Sequence, residues 1–344
     1  MVRHAAMRKP RIVLYGIGQF GGYIARFATQ KGWPIVAAYN RAGAKIGQDL
    51  GRLTGLERDI GVIVQDCDRA HYEGLDADIG VVTVANHLAD NLTAYMRLIN
   101  AGLNVICHGA EAYYPWGSDR PLAEQIDALA KRKGVTFSGS GIWDMSRIWA
   151  GLLVAGPCTE MTALFHSSIT DCARIGKEQM LFTGVGLTVP QFNAKLSGPN
   201  RIVTVYKTIP EHVLHALGYT ITADRVRVEP CTFEEPCHCS LLERIIPAGD
   251  CVGTRIVAEI ETKQGVTAKA HIELRLFRDG EVENMFWSVN GMPHTQVRVE
   301  RDDSGHATAS CLFNRIPDVI AARAGIVLVS ELGPMRPTSL TSIT

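Results

Sequence analysis

The sequence lacks any run of about 18 apolar residues, so a transmembrane helix is not expected. It also lacks an excess of charge. Lys and Arg together number 35, Asp and Glu 35, and no basic stripe stands out. Nucleic acid and anionic membranes are therefore not the expected partners. Met1 to Pro10 are basic but carry no apolar h-region, so they read as a frayed start, not a signal peptide, and the expected compartment is the cytoplasm. The cysteines do not form a metal framework either. There are nine, an odd number, scattered along the chain, and they read as reduced, mostly buried thiols. Cys231, Cys237 and Cys239 are separated by five residues and then one, unlike a structural zinc site, so no metal is expected.

What is present is ample core material: 46% hydrophobic residues over 344 positions, enough for two domains. Arg11–Tyr15, Pro34–Tyr39, Gly61–Val64, Ile79–Ala85, Asn104–Cys107 and Val135–Ser138 read as strands. Helices are predicted over Phe20–Lys31, Leu88–Ala101 and Pro121–Gly134. Such alternation predicts an α/β fold, a Rossmann-type doubly wound parallel sheet, over residues 1–142. Beyond it, Ile148–Val154 reads as an apolar helix. Ala163–Ile169, Arg225–Val228, Gly253–Glu261, Thr267–Phe277 and Glu283–Asn290 read as strands, several alternating apolar with polar residues. Residues 143–306 are thus expected to form an α+β substrate and dimerisation domain with an open antiparallel sheet. A late helix over Ala307–Ala324, in a C-terminal segment of about 307–344, is expected to pack back on the first domain.

Gly16-Ile17-Gly18-Gln19-Phe20-Gly21 lies between a predicted strand and a predicted helix. Gly16 permits the tight turn, Gly18 the close approach of a pyrophosphate, and Gly21 helix–strand packing, while the helix start offers free N–H groups to phosphate. At the end of the second strand, where an acidic residue would hold the ribose of NAD, stand Asn40 and Arg41. Arg41 suits a 2′-phosphate, Asn40 does not repel one, and Lys45 adds to the same pocket, so NADP(H) is preferred and NAD(H) possible. Thr83, Ala85 and Asn86 end the fourth strand at the edge where such sheets bind ligands, and are expected to line the ribose and nicotinamide, with His108 beside them. His87 reads either as an acid–base group or as the residue that starts the next helix.

After the fifth strand, Glu111 is the only carboxylate between Cys107 and Trp116, among alanine and aromatic residues, where it suits proton transfer or the binding of an ammonium or iminium ion. Four stretches carry a resemblance. They are the glycine turn with Ala44–Gly51, Ala110–Trp116, Gly139–Asp144 with Gly184–Thr188, and Asn314–Val319 with Ala324-Gly325. In these the chain is similar to the native amine dehydrogenases, a branch of the family with a dihydrodipicolinate-reductase-like N-terminal domain, and more distantly to 2,4-diaminopentanoate dehydrogenase. The resemblance implies reductive amination of a small ketone or aldehyde with ammonia, and the reverse deamination, with NAD(P)H. It implies a catalytic glutamate at Glu111 and a homodimer. Trp143, Met145, His166 and Phe182 are the candidate substrate-pocket residues, and the residues at Trp143 and His166 depart from the family's usual pattern. Asp144 reads as the cap of the helix that follows it. The rival readings are a carbonyl or sugar oxidoreductase, an imine reductase on the same fold, or a non-catalytic NADP-binding protein. The first would want a lysine beside the substrate, which the Glu111 loop lacks.

Overall fold

Four wholly buried residues, Ile12–Tyr15, form β1 at the centre of a seven-stranded parallel sheet. The computed structural model describes residues 8–174, 176–196 and 201–338, so the first seven residues and the end of the C-terminal segment lie outside the described residues. The chain divides into two compact units, Met1–Met145 with Asp303–Thr344, and Ser146–Asp302.

In the first unit β1 is followed by helix α1 (Gln19–Lys31), β2 (Ile35–Asn40), the short helix α2 (Leu50–Leu53) and β3 (Val64–Asp66). β4 (Ile79–Val82), α3 (Leu88–Asn100) and β5 (Asn104–Cys107) come next, then α4 (Pro115–Ser118), α5 (Arg120–Lys133) and β6 (Thr136–Gly139). The sheet runs from a two-residue strand, Gly325–Ile326, through β6, β5, β4, β1 and β2 to β3. The order reverses between β1 and β4, and the loops leaving those two strands diverge there, opening the crevice in which sheets of this class bind ligands. Local chemistry sets the helices. In α5, Asp119 caps the start by accepting from Leu122 N–H at 3.1 Å, Pro121 sits in the first turn, Lys131 to Lys133 crowd the last, and Gly134 ends it in the left-handed region.

Some boundaries differ from expectation for visible reasons. The third strand begins at Val64, because Gly61 is a left-handed turn residue. β4 stops at Val82: Thr83 N–H still bonds to Tyr15 O of β1, but Ala85 N–H is taken by the Asn91 side chain, as described below. The single late helix is two, Ser304–Asn314 and Ile316–Ala321, with Pro317 in the first turn of the second. Asp144 is not a cap. It is fully buried and paired with Arg315, whose Nε and Nη2 reach its two oxygens at 2.7 and 2.8 Å.

The second unit is built on a six-stranded sheet in the order β14-β13-β7-β12-β11-β8. Its strands are β7 (Glu160–Asp171), β8 (Ile221–Thr232), β11 (Cys251–Thr262), β12 (Thr267–Arg275), β13 (Glu283–Met292) and β14 (Thr295–Arg301), while β9 (Cys237–Cys239) and β10 (Arg244–Ile246) form a separate ribbon. The sheet is mixed, not purely antiparallel: β7 runs parallel to β12. Helices α6 (Ala150–Ala155), α7 (Lys177–Phe182), α8 (Val189–Leu196) and α9 (Arg201–Ala216) complete the unit. One face of the sheet buries Ile256, Ala258, Ala270 and Ile272 with half-buried Tyr206, Val226 and Val228. The other face is polar over much of its area. Across β8, β11 and β12 it carries ion pairs such as Arg227–Glu259 and Arg255–Glu273, at 3.1 and 2.7 Å. Cys172, Cys231 and Cys239, with half-buried Cys237, join an apolar cluster with Met180 and Ile246, and burial pushes the thiols of Cys172 and Cys231 up to about 12. Among the described residues no helix is long and apolar enough to cross a membrane.

Buried Glu211 on α9 generates a prediction. Its Oε1 lies 3.3 Å from Lys207 Nζ, its Oε2 has no hydrogen-bond partner, and burial raises its carboxyl from 4.5 to about 7. The folded state therefore binds more protons than the unfolded chain between those values. Stability is present in full below pH 4.5 and falls as pH rises to about 7, by about 3 kcal/mol at most. Glu211→Gln is expected to match the wild type in urea unfolding at pH 4.5 and to exceed it at pH 8. The comparison isolates Glu211 from buried His212, which titrates in the opposite sense. Parallel curves at both pH values would refute the assignment.

Candidate functional site

The turn after β1 is shaped by two contacts that admit no side chain. Gly16 has φ +99°, and a Cβ there would lie 2.9 Å from Thr83 O; at Gly21 a Cβ would lie 2.2 Å from Gly16 O. Thr83 Oγ1 donates to Gly16 O at 2.7 Å, tying the end of β4 to the turn. The space above Gly18 is open, α1 starts there without a side-chain cap, and its first turn carries no acidic residue. Unpaired N–H groups at a helix start, with no competing carboxylate, are what an anion meets.

The end of β2 braces the same turn. Asn40 Oδ1 accepts from Ile17 N–H at 3.1 Å, and its amide nitrogen donates to Arg41 O at 3.2 Å. Lys45 reaches back and donates to Ile17 O, setting its ammonium against the glycine turn. Arg41 is exposed. The turn, the uncapped helix, Lys45 and Arg41 together fit the phosphates of a dinucleotide.

Beyond β4 the chain is held by buried Asn91 of α3, which accepts from Ala85 N–H at 3.1 Å and donates to Ala85 O at 2.8 Å and His87 O at 3.1 Å. The backbone of Ala85 is thus committed to its own loop. Asn86 accepts from Glu111 N–H at 3.0 Å. The Glu111 side chain returns the contact: Oε2 accepts from Leu88 N–H at 2.7 Å, at the first residue of α3, and Oε1 lies 2.8 Å from His87 Nδ1. The side chains of His87 and Glu111 are 17% and 13% exposed. The carboxylate sits where the helix dipole favours negative charge. His108 follows β5 with its ring 4.7 Å from that of Phe20, and burial lowers it to about 4, so it is neutral and its Nδ1–H points to Val82 O at 3.4 Å.

The structure therefore gathers in the first unit the glycine turn, Phe20, Asn40, Lys45, Thr83, Asn86, His108 and Glu111. Sequence reasoning underweighted His87, taken mainly as a helix start, and missed Asn91, whose only signal is a polar residue on the buried stripe of α3. Trp143 is half-buried, its ring 5.3 Å from that of Tyr113, and Met145 is 36% exposed. The other two pocket candidates belong to the second unit. Phe182 is 65% exposed. His166 is fully buried, donates from Nδ1 to Phe286 O at 3.0 Å, and packs 4.3 Å from the Trp287 ring. Burial holds that imidazole well below its usual range, so it is neutral.

No family model matches the chain. It is 24% identical to the 2,4-diaminopentanoate dehydrogenase of Acetoanaerobium sticklandii over 95% of this chain and 94% of that one. The structure of the amine dehydrogenase from Mycobacterium smegmatis superposes with a TM-score of 0.83 at 28% identity, covering 97% of this chain and 98% of that one. The myo-inositol 2-dehydrogenase of Lactobacillus plantarum, at 16% identity and a TM-score of 0.56 over 94% and 93% of the two chains, shares the fold alone. By fold and site the chain is a Rossmann-type oxidoreductase. It is similar to these two amine-acting dehydrogenases almost end to end, to one in sequence and to the other in structure.

Gly21→Ala tests the turn. The added methyl cannot coexist with Gly16 O, so affinity for NADPH is expected to fall at least about tenfold, or about 1.4 kcal/mol, in a fluorescence titration. Unchanged affinity would remove the turn from the nucleotide site.

Proposed function

We propose that this chain is a nicotinamide-dependent amine dehydrogenase that joins ammonia to a small, weakly polar ketone or aldehyde and runs the reverse oxidative deamination. The observation that carries the reading is the anchoring of Glu111. A carboxylate fixed by its own backbone, a helix N-terminus and an imidazole is placed with little freedom at the ligand-binding edge of the sheet. Each of its oxygens keeps one lone-pair direction beyond these bonds. There Glu111 holds an ammonium ion or protonated amine, stabilises the cationic iminium carbon that is more electrophilic than a carbonyl, and moves the proton needed for loss of water. The bound nicotinamide supplies or accepts the hydride.

In this reading the glycine turn and Lys45 hold the pyrophosphate, and Arg41 meets the 2′-phosphate of NADP(H), with NAD(H) as the weaker cofactor. Neutral His108 packs on Phe20 and leaves no second charge to compete for the ammonium. The second unit serves as the substrate and dimerisation domain of a cytoplasmic homodimer. What supports a second copy on the open sheet face is the half-buried stripe of Phe165, Ile169 and Phe286 beside the ion pairs.

NADPH oxidation with a panel of ketones and aldehydes is expected to require ammonia. Consumption that proceeds equally without it would make the chain a carbonyl reductase. Glu111→Gln is expected to lower ammonia-dependent turnover by ~10²–10³-fold and leave NADPH affinity intact. Arg41→Ala should raise the Michaelis constant for NADPH about tenfold, worth ~1.4 kcal/mol, and that for NADH far less. Equal effects on both would make Arg41 a surface charge.

A further inference from the structure

The imidazole beside Glu111 has no part in the chemistry above, yet two of its features are unusual for a surface histidine. Its Nδ1 lies at bonding distance from the carboxylate, and its own carbonyl is pinned by buried Asn91, so the ring is held from both ends. His87 occupies the N-cap position of α3, but its side chain makes no capping bond there. An ionised Glu111 has no hydrogen to give, so Nδ1 carries the proton and donates to Oε1. That leaves Nε2 as the ring's only other protonation site, with no hydrogen-bond partner for it among the described residues.

The proton inventory of the proposed reaction gives this ring work to do. One carbonyl compound, one ammonium ion, one reduced nicotinamide and one proton become one protonated amine, one oxidised nicotinamide and one water. Every amination therefore imports a proton, and every deamination exports one. Glu111 holds one proton at a time. Its Oε2 faces a backbone amide, Leu88 N–H, which cannot supply one, whereas its Oε1 faces an imidazole, the side chain suited to proton exchange near neutrality.

We propose that His87 is the positioning residue and proton-exchange partner of Glu111, orienting Oε1 and passing protons between it and solvent. The inference rests on the reading of Glu111 given above. In amination, Nε2 takes a proton from water. The Nδ1–H bond breaks as an O–H bond forms at Oε1, and Glu111 gives that proton to the hydroxyl that leaves as water. The ring then returns to its Nδ1–H tautomer by exchange with water, with no net proton. Deamination runs the same steps backwards. The titratable groups on the elements packed around the pair are Asp90 and Tyr95 of α3, Cys107 and His108 at the end of β5, and Tyr113 and Tyr114 after Glu111. Burial keeps Tyr95 and Cys107 protonated and His108 neutral, so none of these three relays protons near neutral pH.

Three variants of the full chain decide the matter: Glu111→Gln, His87→Asn and His87→Ala, each titrated with NADPH and assayed for ammonia-dependent turnover from pH 6 to 9.5. His87→Asn keeps an N–H toward Oε1 and cannot relay. It is expected to retain the Michaelis constant for ammonia within about threefold, to lose about 10- to 100-fold in kcat, and to show a changed pH profile. His87→Ala loses both functions, so the Michaelis constant for ammonia rises as well, and added imidazole restores part of kcat. Wild-type kcat and pH profile in both His87 variants, with Glu111→Gln inactive, would overturn this inference alone. Full ammonia-dependent activity in Glu111→Gln would overturn the reading of Glu111 and this inference with it. Loss of NADPH binding in both His87 variants would assign the ring to the nucleotide site and overturn the relay.

Discussion

One carboxylate holds together the two loops on which the site depends. Glu111 is joined to the loop after β4 through its backbone N–H on Asn86 and through both side-chain oxygens, on His87 and on the start of α3. Three contacts from one residue, partly shielded from water, fix its rotamer more firmly than any single bond would. The consequence is functional as well as structural. In the role proposed for it, Glu111 would meet a developing positive charge, and such a group gains most when it does not have to reorganise to do so. The same bonds consume part of its accepting capacity, so the partner that can move a proton, His87, becomes as important as the backbone amide that cannot.

The glycine turn is braced in a different way. The Asn40 amide oxygen and the Lys45 ammonium both bond to Ile17, one to its N–H and one to its carbonyl. The residue at the end of β2 thus stabilises the turn itself, where an acidic residue would hold a ribose. The charges left around the turn are positive: Lys45 held against it and exposed Arg41 beyond it. An acidic residue in place of Asn40 would reverse the local field beside the turn, so an amide there serves geometry and charge together.

The parallel half of the molecule was legible because its signals are local. Short apolar runs, a glycine turn between strand and helix, and amphipathic helices each declare themselves within about fifteen residues. Glu111 was legible because a lone carboxylate in an aromatic loop is conspicuous. His87 was not, because a histidine before a helix looks the same whether or not a carboxylate 24 positions on turns back to meet it. The burial of His166 was not legible, since alternation along β7 shows which residues share a face but not which face is covered. The parallel pairing of β7 with β12, about a hundred residues apart, leaves no mark on either strand, because both alternate as antiparallel strands do.

The least legible contact is Asp144 with Arg315, 171 positions apart. A fully buried ion pair loses more by desolvation than it gains unless every remaining polar atom is satisfied. Here Ser140 donates to Asp144 at 2.9 Å, while Arg315 also reaches Asp318 and Gly333 O, each at 2.8 Å. The pair therefore returns the C-terminal segment to the end of β6 at a fixed point. That point matters because Gly139 lies so close to the Ala112 carbonyl that a Cβ there would be 2.2 Å from its carbon. Ala112 follows Glu111. A charge pair distant in sequence thus supports, through a glycine contact, the turn that carries Glu111, and the cost of burying two charges is offset by fixing the backbone beside that side chain.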